Sequence, residues 1–401
     1  MLRPAATPPH LATLILLSAL AVLSLNMFLP SLAHIAGDFG ADYGLVNLSI
    51  AGYAGMTALL QLVMGPLSDR FGRRPVILAA LAIFILASLG CAFATDVWTF
   101  LACRLLQAAI IAGYSVSLAV IRDTAEAEKA ASLMGYVAMG WAVAPMLGPL
   151  FGGALEEFFG WRASFWAFTG FGVAVLALVW TDLGETNRAP AATFAAQLRS
   201  YPELFGSRRF WGYSACMAFS VGSFYIYLGC APLVAAHLFQ MSPAALGVAI
   251  GSSTAGFMLG NFLSGRFAAR RSLTAMMIAG RLVASAGLAA GLVLLALDIV
   301  HVATIFGPAV FMGIGNGLTF PSANAGAMSV RPTLTGSAAG LAGALTVAGG
   351  ALLAALAGAI LTEADAAAIM LAMMLLASLA GLGAALYVRR VDRREAAAQT
   401  A

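Results

Sequence analysis

The sequence predicts an all-α membrane protein whose twelve spans form two pseudo-symmetric six-helix bundles, and three observations predict it. Of 401 residues, 61% are hydrophobic and 9% charged, against roughly 25% charged residues in a soluble domain. Apolar runs of about 20 residues recur along the whole chain, each long enough for a helix to cross a hydrocarbon core of roughly 30 Å. The turn GPLSDRFGRRP at Gly65–Pro75 is echoed imperfectly by LSGRFAARR at Leu263–Arg271, as expected of two halves made by duplication.

The spans fall near 11–33, 44–67, 76–95, 98–121, 135–156, 163–182, 211–235, 244–265, 273–296, 302–327, 335–361 and 366–388. The first run is too long for a signal peptide, contains Asn26 and Pro30 and has no small-residue cleavage site, so it is expected to be retained. The longest polar connection, 183–209, is read as a cytoplasmic linker between an N-terminal bundle (1–182) and a C-terminal bundle (210–401). Within the linker Phe194, Leu198 and Tyr201 fit either a short interfacial helix or a tether. The 43 glycines suit helices that approach closely in lipid. Pro30, Pro145, Pro149, Pro232, Pro308 and Pro321 lie inside spans and are expected to kink them.

Basic residues orient the chain, because Lys and Arg of short loops stay on the cytoplasmic side. With the amino terminus inside, 18 of the 21 Lys and Arg fall in cytoplasmic segments. Both termini are then cytoplasmic, and the net charge of +4 reports topology rather than nucleic-acid binding. Cys91, Cys103, Cys216 and Cys230 lie in apolar runs without metal-ligand spacing, so no metal site is assigned. The single lysine, Lys129, follows Glu128, which excludes a Walker A sequence and an ATP-driven pump. H-E-x-x-H and G-x-S-x-G patterns are also missing, so neither an enzyme nor a cofactor is expected. Two repeated halves with interrupted helices describe alternating access better than a fixed pore.

The turn beginning at Gly65 resembles motif A of the major facilitator superfamily, G-x-L-[AS]-D-[RK]-x-G-R-[RK]. Gly65, Leu67, Ser68, Asp69, Arg70, Gly72, Arg73 and Arg74 satisfy every fixed place. Arg104 to Gln107 followed by Ile121-Arg122-Asp123, the span 5 run Ala144-Pro145 with Gly148-Pro149 and Gly152-Gly153, and Asn26 to Pro30 resemble drug-exporting members. Together they are similar to the Bcr/CflA group of drug exporters over the whole length. Two positions depart from that group: Asn26 replaces its usual acid, and Ala108 its usual glycine.

The resemblance implies a conformational latch of Gly65, Asp69, Arg70, Gly72, Arg73 and Arg122, in which Asp69 pairs with Arg122 and faces the start of span 11 near Thr335. Pro145, Gly148, Pro149, Gly152 and Gly153 match the antiporter motif of span 5 and favour export. Substrate is expected to meet Asn26, Tyr53, Gln61, Arg104, Gln107, Tyr114, Trp141, Phe224, Tyr227, Asn261, Asn316, Phe320 and Asn324. An intramembrane arginine is a functional candidate because its burial is costly. Arg104 is expected to hydrogen-bond Gln107 and Asn26, with snorkelling to the surface as its alternative, whereas Arg281 in span 9 is expected to snorkel. None of the 17 acids lies near the centre of a span, so proton coupling falls to His34, Asp123 or an acid at a span rim.

The function implied is efflux of small amphipathic compounds, chloramphenicol- or bicyclomycin-like, across the bacterial inner membrane in exchange for protons, by a monomer in membrane lipid. A dedicated exporter of one metabolite, such as an amino acid, sugar or siderophore, without proton coupling, is the alternative.

Overall fold

A computed structural model describes residues 9–125, 127–187, 202–267, 271–331, 335–362 and 365–400. Within them the side chains of 65, 66, 122, 127–132, 135, 138–146, 335–337 and 395–400 lie outside the description. The described residues are nearly all helical and contain no strand. They form two compact units, Met1–Gln197 with Ser242–Val248, and Leu198–Met241 with Ala249–Ala401.

In the first unit, span 1 is broken. Helix α1 (Leu11–Asn26) gives way to a 3-10 turn at Leu29–Ser31 that contains Pro30, and α2 (Leu32–Phe39) completes the crossing. Proline explains the break, since it has no N–H to donate and its ring crowds the preceding turn. Helix α3 (Tyr43–Phe71) starts at Asp42, whose carboxylate accepts the Leu45 N–H at 3.3 Å. Gly72 alone joins it to α4 (Arg73–Phe93).

Span 4 is also broken, which the sequence did not announce. Helix α5 (Val97–Gln107) passes through a 3-10 segment, Ala108–Ile111, into α6 (Ala112–Thr124). Asp96 caps α5, accepting the N–H groups of Trp98 and Thr99 at 2.9 Å each, and its bond from the Thr99 hydroxyl holds its carboxyl below the usual range. Helix α7 (Ala127–Phe159) is unbroken despite Pro145 and Pro149. Helix α8 (Arg162–Asp182) follows, turned in by Gly160 at φ +77°.

The second unit contains α9 (Arg208–Phe239), most of α10 (Pro243–Phe267), α11 (Leu273–Ala296), α12 (Val302–Ser329), α13 (Thr335–Ile360) and α14 (Ala366–Thr400). Helix α9 continues through Pro232, and α12 through Pro308 and Pro321. Among the described residues, eleven spans are long and apolar enough to cross a membrane. Helix α7, only partly described, has the length and position of the twelfth. Leu59, Leu86, Phe93, Val293 and Leu376 are exposed, as suits surfaces that face acyl chains. Helices α11 and α12 touch through their backbones, for a Cβ added at Gly280 would strike the Gly315 carbonyl and one at Gly315 the Gly280 carbonyl.

Candidate functional site

The charged turn is a tight network within the first unit. Gly72 has φ +98°, a conformation that side chains rarely adopt, and a Cβ there would also strike the Glu185 carboxylate. Next to it Arg73 is buried, with Nη1 2.5 Å from Asp69 Oδ1, Nε 3.0 Å from Asp123 Oδ2, and Nη1 donating to Ser68 Oγ at 2.6 Å. The turn is closed from the far end of α8: Glu185 Oε1 accepts the Arg73 N–H at 2.9 Å and Oε2 the Arg74 N–H at 3.2 Å. A carboxylate belongs there because the first N–H groups of a helix have no partner inside it and carry its positive end. Asn187 donates to the Asp69 carbonyl at 2.6 Å, and Arg74 donates to the Trp180 carbonyl at 2.8 Å while lying over its ring. Thus α3, α4, α6 and the exit of α8 are tied at one end.

Of the expected latch residues, Gly72, Asp69 and Arg73 meet in this network, and the described partner of Asp69 is Arg73. Arg70 is exposed over Phe71. The side chains of Arg122, Trp141 and Pro145, like position 65, lie outside the description. Asp123, a candidate proton carrier, is here an acceptor for Arg73 and, at 3.4 Å, for the Thr186 hydroxyl. Glu185 was missed by sequence reasoning. Its signal was available: an acid in the polar run just past span 6, on the same side as the uncapped amino end of α4.

A second node lies around Arg104, which is fully buried and does not snorkel. Its Nη1 donates to Gln107 Oε1 at 2.5 Å and to the Ser24 carbonyl at 3.0 Å. The guanidinium carbon lies 4.1 Å from the Phe28 ring centroid and 4.6 Å from that of Tyr53, so two π-faces replace a counter-ion. Gln107 Nε2 donates to Ser88 Oγ at 2.7 Å, and the Tyr53 hydroxyl is bonded to Ser24 Oγ. Among the described residues, Nε and Nη2 of Arg104 have no hydrogen-bond partner. Asn26, expected beside Arg104, instead donates to Val22 O of its own helix at 2.8 Å, its Oδ1 being buried without a partner among the described residues. Gln61 and Tyr114 are half-buried on α3 and α6.

The span 5 motif packs α7 against the break in span 1. A Cβ on Gly148 would lie 3.3 Å from Asn26 Cβ, and one on Gly152 would overlap the Met27 carbonyl. One at Gly153 would overlap the Pro243 carbonyl. Pro149, a turn before Gly153, lies in the same helix. Further along, His34 Nδ1 lies 2.5 Å from Glu156 Oε1. Glu156 was among the unnamed rim acids of the sequence.

In the second unit Arg281 is fully buried, which corrects the expectation that it snorkels. Polar groups inside the bundle hold it: Nη2 donates to Asn316 Oδ1 at 2.6 Å and Nε to Thr319 Oγ1 at 3.1 Å. Asn316 donates in turn to the Ser220 carbonyl at 3.1 Å. Tyr227 is buried, its hydroxyl donating to Ala249 O at 3.0 Å. Phe224, Asn261 and Phe320 are half-buried and Asn324 is exposed.

Helices of spanning length, a charged turn clamping one end of a bundle and a buried polar node beside broken helices describe a multi-pass membrane protein, and the family match that follows makes it a transporter. The chain belongs to the Major Facilitator Superfamily, whose family description matches residues 14–352. It is 30% identical over 390 residues to the uncharacterized MFS-type transporter YdgK of Bacillus subtilis (strain 168), covering 93% of this chain and 95% of the relative. It is 28% identical over 352 residues to Multidrug resistance protein D of Escherichia coli (strain K12), covering 86% and 87%. A chloramphenicol resistance protein of Pseudomonas aeruginosa is 35% identical over 227 residues, 55% of this chain and 54% of that one. Among solved structures, a mutant of the peptide transporter POT in complex with alafosfalin superposes with a TM-score of 0.79 at 13% identity, covering 96% and 97%, a likeness of fold. The resemblance read from the motifs therefore holds.

Proposed function

We propose that this transporter exports small amphipathic compounds across the bacterial inner membrane by alternating access, in exchange for protons, with both termini in the cytoplasm and the monomer as the working unit. The observation that carries the reading is Arg104: a buried guanidinium between two aromatic rings, with two donor nitrogens left over. Such a site recognises electron-rich, partly apolar molecules through π-faces and spare N–H donors rather than through one fixed counter-charge. Similarity to multidrug and chloramphenicol resistance proteins supports the same cargo class. The Asp69–Arg73–Asp123–Glu185 network acts as the latch, because these contacts join the ends of four helices and can be made or lost as a set.

The test is efflux of chloramphenicol from proteoliposomes with and without a pH gradient. Gradient-driven efflux that Arg104→Leu abolishes supports the reading. Chloramphenicol flux equal to that of protein-free liposomes would reject drug export in favour of a dedicated metabolite exporter.

A further inference from the structure

We propose that Glu156 and His34 together form the proton-binding site of the transport cycle, an inference that rests on the proton-exchange reading above. They face each other across α7 and α2, His34 Nδ1 at 2.5 Å from Glu156 Oε1. The two partners differ sharply in access, the His34 side chain being 60% exposed and that of Glu156 4%. The second carboxylate oxygen, Oε2, is buried with no hydrogen-bond partner among the described residues. A buried carboxylate with a spare oxygen, bonded to an exposed imidazole, has the geometry of a proton relay. The exposed ring provides the route by which protons reach the buried acid.

Among the described residues, Asp38, one turn further along α2, interacts electrostatically with His34, but its hydrogen bonds go elsewhere. Asp38 on α2 accepts from Trp161 Nε1 at 2.8 Å and Arg162 Nη1 at 3.1 Å, so the cation of α8 is committed elsewhere. Asp42 is committed to the start of α3, and Glu157 accepts the Ala244 N–H at 3.3 Å. When a proton arrives on the imidazole, the Nδ1 proton passes to Oε1, leaving a neutral ring beside a neutral carboxylic acid. Release runs the same steps in reverse, one proton each way.

The position of the pair gives that proton mechanical leverage. Gly148, Gly152 and Glu156 are successive turns of α7, and they meet Asn26, Met27 and His34 of span 1. The 3-10 turn at Leu29–Ser31 interrupts span 1 between Met27 and His34. A change of charge at the pair is therefore delivered across the break, towards the helix end whose Ser24 carbonyl holds Arg104. The site lies at the end of the bundle opposite the Gly72 turn, which on the proposed orientation is the outer face.

Two measurements decide it. Infrared pH-difference spectra of the purified protein in lipid, between about pH 5 and about pH 9, should contain a carboxylic-acid band that Glu156→Gln removes and Glu157→Gln keeps. Identical spectra for wild type and Glu156→Gln would overturn the proposal whatever the cargo. In proteoliposomes Glu156→Gln and His34→Gln should lose about tenfold or more of chloramphenicol efflux driven by a pH gradient while gradient-independent chloramphenicol exchange persists. Unchanged gradient-driven flux in both variants would also overturn the site. Gradient-independent efflux by the wild type would sink proton exchange itself, a failure visible before any variant is made.

Discussion

Glu185 caps Arg73: one carboxylate oxygen accepts the Arg73 N–H at 2.9 Å, while the Arg73 side chain reaches the other way to Asp69 and Asp123. The arginine is therefore held by its backbone from α8 and by its head group from α3 and α6. Gly72 must lack a side chain for this carboxylate to approach.

Glu185→Gln keeps the shape and removes the charge at the amino end of α4. Loss of a charge-assisted cap costs on the order of 1 kcal/mol. Thermal unfolding in detergent should show a Tm lower by a few degrees, with transport reduced. An unchanged Tm would remove Glu185 from the network.

Asp69→Asn should leave the amount of protein in the membrane unaltered and reduce transport several-fold, because Arg73 keeps Asp123 but loses the partner on its own turn. Immunoblotting of membranes beside an efflux assay separates the two effects. Wild-type transport would exclude Asp69 from the latch.

Arg104→Lys should lose most transport although the charge is retained. An ammonium cannot lie flat between Phe28 and Tyr53 while bonding Gln107 and the Ser24 carbonyl. Equilibrium binding of chloramphenicol is expected to weaken by about tenfold, roughly the loss of one charge-assisted hydrogen bond. Equal affinity in the variant would disprove the role.

Gly152→Val should fail to accumulate in the membrane, because its side chain would overlap the Met27 carbonyl, whereas Gly170→Ala, with open space around it, should behave as wild type. Expression and monodispersity of the two proteins report the difference.

Arg281→Ala should act on stability rather than on cargo. It strands Asn316 Oδ1 and opens a cavity between α11 and α12, costing on the order of 3 kcal/mol. Lower Tm with an unaltered substrate Kd is the expected result.

The span pattern was legible because an apolar run of crossing length has few other uses, and the motif turn because its glycines and charges are spaced too specifically to be a generic loop. The proline of span 1 announced its break. The 3-10 step of span 4 carries no proline or glycine within Ala108–Ile111, and nothing in the structure explains why the chain chooses it. Arg281 was misjudged because hydropathy treats an arginine two turns inside a span as something to be drawn to the surface. Its partners Asn316 and Thr319 sit more than thirty residues away, a proximity that only packing creates. Glu156 was similarly hidden: its meaning comes from His34, 122 residues earlier.

The interruption at Leu29–Ser31 leaves the Ser24 carbonyl unclaimed by its own helix, and Arg104 takes it. The guanidinium is thus neutralised in part by the dangling end of a severed helix rather than by an acid. A straightened span 1 would reclaim that oxygen for Phe28 N–H, and the vacancy beside Arg104 would then favour whatever electron-rich guest stood nearest. On the proposed reading of Arg104 as a cargo contact, helix geometry and cargo would compete for one arginine, and the proline at position 30 would act on affinity without touching the guest.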